Sequence, residues 1–196
     1  SAMREGNKYN ISVKGGRFLE AVAKADTVVF DKTGTLTYAK PTVAQIVTFA
    51  GKEENEMLRL AACLEEHYPH SLANAVVDEA KNRGLNHEEY HSKVEYVVAH
   101  GISSTVEGKK VVIGSYHFVF EDEGCTVPDG EAEKFSSISD EYSHLYLAVS
   151  GVLCAVICVF DPLRAEAKDA IDALHALGIK KVVMMTGDNH KTAAAI

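Results

Sequence analysis

Apolar positions recur along the chain in two alternating rhythms. Residues 14–24 place Phe18, Leu19, Val22 and Ala23 at helical spacing, which predicts a helix with one apolar face. The run Thr27-Val28-Val29-Phe30 is short, β-branched and aromatic, the pattern of a buried parallel strand. Residues 42–50 read as a strand through Val43, Ile46, Val47 and Phe49. A helix follows on Met57, Leu60, Ala61 and Leu64 at i, i+3, i+4 and i+7. A second has Leu72, Ala75, Val76 and Ala80 on its apolar face, Ser71 as its expected N-cap and Gly84 at its end.

The middle of the chain changes to short β runs at 94–98, 102–106, 110–113, 145–149 and 152–159. Glu107-Gly108 and Ser150-Gly151 punctuate them as hairpin turns. Residues 131–138 are polar and weakly helical. Ala167, Ala170, Ile171 and Leu174 then mark an amphipathic helix closed by Gly178, and 181–185 is a second buried strand. The fold class expected is therefore α/β: a parallel, Rossmann-like unit interrupted by an α+β insertion with an antiparallel sheet. Its expected parts are residues 1–41, the insertion 42–158, and a return at 159–196. Pro41 disfavours helix before it and marks 38–42 as a crossing or hinge.

Composition narrows the class. The net charge of −8 over 196 residues argues against a nucleic-acid partner. No apolar run approaches the ~20 residues of a membrane span. Cys63, Cys125, Cys154 and Cys158 form no Cys-x-x-Cys pair. Cys154 and Cys158, four apart in a strand, are expected on one face but about 12 Å or more apart, too far for a shared tetrahedral site. The four are read as small packing residues of a reducing compartment. His67, His87, His91, His117, His144, His175 and His190 show no ligand spacing and are read as solvated.

The chemistry concentrates where the first strand ends, in Asp31-Lys32-Thr33-Gly34-Thr35-Leu36-Thr37. Open α/β sheets place their sites at the carboxyl ends of strands. A carboxylate there can attack a phosphoryl group, and Gly34 lets the backbone fold back so that N–H groups face a phosphate. By itself the segment also reads as a capped turn. As a heptad it resembles the phosphorylation signature of P-type ATPases letter for letter. Asp161-Pro162-Leu163-Arg164 and Thr186-Gly187-Asp188-Asn189 resemble further motifs of that family. Leu64-Glu65-Glu66-His67-Tyr68-Pro69-His70-Ser71 is similar to the nucleotide-binding signature of its heavy-metal-transporting branch, with Ser71 where Pro is usual.

The resemblance implies an ATP-binding portion of a heavy-metal pump, related to the haloacid-dehalogenase-like proteins. It implies Asp31 as nucleophile, Lys32 offsetting charge, and Thr186, Gly187 and Asp188 at the phosphoryl group. It implies Mg²⁺ held by Asp31 and the Thr33 carbonyl. ATP would be bound by Glu65, His70, Ala99, Gly101 and Gly114, with Ala99 standing where the family has Gly. The implied partners are ATP, a transported metal cation reached through a membrane domain, and an actuator domain of the same full-length chain, at the cytoplasmic face of a membrane. The family's later Lys and second Asp-rich loop fall past Ile196, so the expectation is a partial phosphorylation unit that is inactive in isolation.

Three alternatives stand beside this reading. One is a soluble haloacid-dehalogenase-like phosphatase with a cap domain, whose usual second Asp is Thr33 here, a residue unable to serve as acid or base. Another is a non-catalytic nucleotide-binding module. The third is a potassium-pumping relative, disfavoured by the spacing of Glu65 and His70.

Overall fold

The computed structural model of the chain describes residues 2–85, 91–97 and 101–185. The larger sheet is antiparallel and six-stranded. Its strands are β2 (Thr42–Thr48), β3 (His91–Val97), β4 (Gly101–Val106), β5 (Lys109–Gly114), β6 (Ser143–Val149) and β7 (Val152–Phe160), in the order β2-β7-β6-β5-β4-β3. Both expected hairpins form. Glu107 and Gly108 have φ of 49° and 76°, and Ser150 and Gly151 have 51° and 80°. Two successive positive φ values make the primed turns whose twist matches that of the flanking strands.

Helices α3 (Glu54–Glu65) and α4 (Ser71–Asn82) cover one face of this sheet. Leu58, Ala61, Leu64, Val76 and Ala80 pack there against Ile102, Ile113, Leu147 and Ile157. The other face is closed by Phe49, Phe118, Val119 and Cys125, with Phe120 and the short helix α5 (Ala132–Ser136) above Tyr146 and Val156. Strand β7 runs between β2 and β6 and serves both faces.

Cys154 and Cys158 are not on one face as alternation predicts. Opposite β6, Ala155 pairs with Leu147 and Leu153 with Ala148, so Cys154 is an extra residue in β7. This bulge reverses the parity of the strand. Cys154 joins the helix-covered core and Cys158 the opposite one.

The smaller sheet pairs β1 (Thr27–Asp31) with β8 (Lys181–Met185) in parallel, from Thr27 opposite Lys181 to Asp31 opposite Met185. Both strands were expected to be buried. Instead β1 alternates exposed and half-buried positions, with Val29 53% exposed. Helices α2 (Gly16–Ala23) and α6 (Ala167–Ala176) bury no residue fully. A parallel strand is buried by flanking strands and helix layers, and among the described residues this sheet has two strands. A further helix, α1 (Ala2–Lys8), precedes α2. No helix among the described residues is long and apolar enough to cross a membrane.

The two connections between the sheets are zipped together. Thr37 and Leu163 form an antiparallel bridge. Tyr38 N donates to the Pro162 carbonyl at 3.1 Å, and Arg164 N to the Leu36 carbonyl at 2.8 Å. This ribbon runs into the β2–β7 pairing, which starts at Thr42 opposite Phe160.

Candidate phosphoryl and nucleotide sites

Asp31 ends β1 beside the end of β8. Its carboxylate is exposed and takes no hydrogen bond or ion pair from any described residue. The chain then turns sharply. Thr33 has φ −73° and ψ 120°, and Gly34 has φ 78° and ψ −5°, the two central conformations of a type II turn. A Cβ on Gly34 would meet nothing closer than Ala39 Cβ at 3.6 Å. The positive φ, rather than lack of space, therefore calls for glycine there.

Thr37 organises the turn from below and is fully buried. Its Oγ1 accepts from Gly34 N at 3.1 Å and lies 2.6 Å from Asp161 Oδ2. The hydroxyl has one proton, and the short contact to a carboxylate takes it. The Lys32 carbonyl, 3.3 Å from Oγ1, accepts instead from Thr37 N at 3.1 Å. Arg164 Nε donates to the Thr37 carbonyl at 3.1 Å and Nη2 reaches the Gly34 carbonyl at 3.5 Å, while the guanidinium lies 5.1 Å from the Tyr38 ring centroid. Asp161 and Arg164 thus brace the loop that carries Asp31. Lys32 is buried, and its Nζ lies 3.4 Å from Ser143 Oγ on β6. Thr37 and Ser143 were not among the predicted site residues. Thr37 could have been flagged as a hydroxyl inside the heptad. Ser143 carries no local signal.

The second group lies between α3 and α4. Glu65 is 2% exposed at the end of α3. Its Oε2 is 3.1 Å from His70 Nε2, yet off the direction of a hydrogen bond, so this buried oxygen has no hydrogen-bond partner. His70, not Ser71, is the N-cap of α4: its Nδ1 accepts from Ala73 N at 3.3 Å, with Ser71 the first helical residue. His70 enters with φ −143° and ψ 174°, the extended backbone a cap requires. In the neutral ring this leaves the proton on Nε2, the nitrogen facing Glu65.

Gly101 and Gly114 form a third group, directly opposite one another on β4 and β5. A Cβ on Gly101 would lie 2.3 Å from Phe118 Cδ1 and 2.5 Å from the Ile113 carbonyl oxygen. Packing inside the protein thus demands glycine there. Ala99, Thr186, Gly187 and Asp188 lie outside the described residues. Among the described residues no cluster of three or more His, Cys, Asp or Glu side chains could hold a metal ion.

The profile of the haloacid dehalogenase-like hydrolases matches residues 25–196, from just before β1 through both sheets. The chain belongs to this family. Within it, the chain is similar to a probable copper-exporting P-type ATPase V of Mycobacterium tuberculosis, 37% identical over 194 residues, which cover 97% of this chain and 24% of the relative. It is also 33% identical over 192 residues to a silver exporting P-type ATPase of Salmonella typhimurium, covering 98% of this chain and 23% of the relative. The chain therefore spans about a quarter of the length of these curated relatives. Among solved structures, the catalytic domain of a CPx-ATPase superposes with a TM-score of 0.69 at 21% identity, covering 99% of this chain and 65% of that one. This hydrolase-family chain shares the fold of that domain.

Proposed function

We propose that the chain is the ATP-binding catalytic portion of a heavy-metal-transporting P-type ATPase, working at the cytoplasmic face of a membrane. Residues 42–158 hold the nucleotide, and residues 1–41 with 159–196 supply the phosphorylation site. The transported cation is met by a membrane domain, and an actuator domain of the same full-length protein completes the cycle. The names of the similar proteins support this reading.

The observation that carries it is Glu65 Oε2, buried and without a hydrogen bond beside His70. Leaving a buried acceptor unmatched costs about 1–3 kcal/mol. An exocyclic amine such as that of adenine brings the aligned donor that His70 Nε2, close but off the hydrogen-bond direction, does not supply, and the half-exposed His70 ring is placed to contact the base. Gly101 and Gly114, with Ala99, border the same nucleotide in this reading.

Asp31 attacks the γ-phosphorus in line, forming an acyl phosphate as the bond to the bridging oxygen of ADP breaks. Its open carboxylate is free to do so, and Lys32 offsets charge. Thr186 donates its hydroxyl to the transferred group, and Gly187 and Asp188 complete the same motif at the phosphoryl group. An open carboxylate and a backbone carbonyl are the hard oxygen donors that Mg²⁺ takes. Asp31 and Thr33 would hold the ion, which supplies charge neutralisation at the phosphates. Thr33 provides no acid or base for rapid hydrolysis, which favours a lasting acyl phosphate over a soluble phosphatase.

Calorimetric titration with ATP tests the reading. Glu65→Ala and His70→Ala are each expected to weaken binding by about 1–3 kcal/mol. Equal affinity in both variants and the parent protein would remove the nucleotide assignment. Steady hydrolysis of p-nitrophenyl phosphate that is lost in Asp31→Asn would favour the phosphatase instead.

A further inference from the structure

Lys32 is the buried cation of the loop, and its side chain leaves the loop altogether. The backbone is pinned, since its carbonyl accepts from Thr37 N at 3.1 Å. The side chain, 5% exposed in all, runs to β6, where Nζ lies 3.4 Å from Ser143 Oγ. The two residues are 111 positions apart. Ser143 is itself 6% exposed, because it is the first residue of β6 and pairs with Val159 of the central strand. Its position is therefore set by the antiparallel sheet and not by the phosphorylation loop.

We propose that Ser143 is a positioning residue for Lys32: a hydroxyl carried by the antiparallel sheet takes part in setting where the loop's ammonium group stands. This rests on the reading of Asp31 and Lys32 as a phosphoryl site. A lysine has four flexible stem bonds and three rotatable N–H donors, so burial alone does not define where its charge points. A hydroxyl oxygen can accept from the ammonium while giving its own proton elsewhere. It thereby orients the group without ionising. The consequence is a direct line from the insertion to the chemistry. Any shift of β6 relative to β1 moves the Lys32 ammonium relative to Asp31.

Competitive acetylation of amines at one fixed pH, read residue by residue by mass spectrometry on the whole chain, tests this without requiring activity. In the parent protein Lys32 is expected to label far more slowly than Lys168, whose side chain is 83% exposed. In Ser143→Ala, Lys32 labelling is expected to rise about tenfold, the equivalent of one hydrogen bond to a charged group. Lys168 should not change. Ser143→Thr, which keeps the hydroxyl, is expected to restore the parent rate. Should Ser143→Ala not fold, Ser143→Cys, close in size and a poor acceptor, carries the same expectation. A Lys32 rate unchanged in a folded variant lacking the hydroxyl would overturn the proposal, as would failure of Ser143→Thr to restore it. ATP titration of the parent protein is a separate matter. Absence of binding there would remove the nucleotide reading and leave the Lys32 result standing.

Discussion

Thr37 Oγ1 donates to Asp161 Oδ2 across 2.6 Å, joining two segments 124 residues apart in the chain. The partner oxygen, Asp161 Oδ1, is buried and has no hydrogen bond. Thr37→Val keeps the shape and removes the donor, leaving that carboxylate with less compensation. It is expected to lower stability by about 1–3 kcal/mol, seen as a lower urea midpoint with an unchanged slope. Thr37→Ser should retain most of the stability. Equal midpoints for the parent and Thr37→Val would mean that this contact does not hold the ribbon.

At Gly101 a methyl group has no place to go. It would press against the Phe118 ring and the Ile113 carbonyl, both far inside contact distance. Gly101→Ala should therefore cost about 1–3 kcal/mol as an overpacked site. The double variant with Phe118→Leu should recover part of the loss, because the ring is the movable half of the clash. A neutral Gly101→Ala, judged by thermal melting, would contradict the packing.

His70 combines two tasks that one substitution can separate. Asparagine is a good N-cap, whereas alanine costs about 1 kcal/mol there. His70→Asn should keep stability near that of the parent while still weakening ATP binding. His70→Ala should lose both. Circular dichroism melts beside calorimetry make the comparison, and full affinity in His70→Asn would confine His70 to capping.

Alkaline pH should destabilise the protein through its buried thiols. Burial pushes Cys158 up from 9.0 to about 11, and raises Cys125 and Cys154 as well. The folded state therefore holds these protons when the unfolded chain has begun to lose them. The contribution is fully present below pH 9 and is lost as pH rises through about 11, at up to ~1.4 kcal/mol per pH unit for each fully responsive thiol. Urea midpoints measured from pH 8 to 11 should fall, and Cys158→Ala should flatten the fall. A flat profile in the parent would show that the thiols are not shielded.

Local chemistry made part of this structure readable in advance. Glu107-Gly108 and Ser150-Gly151 are turn signals that act within two residues, and both hairpins formed where they stand. Gly34 was legible for the same reason. Features decided at a distance were not. The bulge at Cys154 is hidden because every neighbour in β7 is apolar, so no polar residue reports the change of parity. Ser71 and His70 can both cap a helix, and the extended backbone at His70 decides between them. The Phe118 ring that leaves no room for a side chain at Gly101 comes from outside its strand, and nothing beside Gly101 in sequence reports it. Exposure of Val29 depends on what flanks β1, which its own residues do not encode. Ser143 met Lys32 only through the pairing of β6 with β7.

Strand β7 has a consequence for biosynthesis. Its nine residues carry no charge and no proline, and seven of them are buried in the finished protein. Stretches of this kind stick to one another when they are left unpaired. Both of its neighbours, β2 and β6, lie earlier in the chain. A ribosome working from the N-terminus therefore releases β7 only after the two edges that will cover it have been made, and the partner that reaches it first is the hairpin mate just three residues upstream. A circular permutant that began at β7 would present the same segment with nothing yet available to shield it. It should depend on chaperones more than the natural order does.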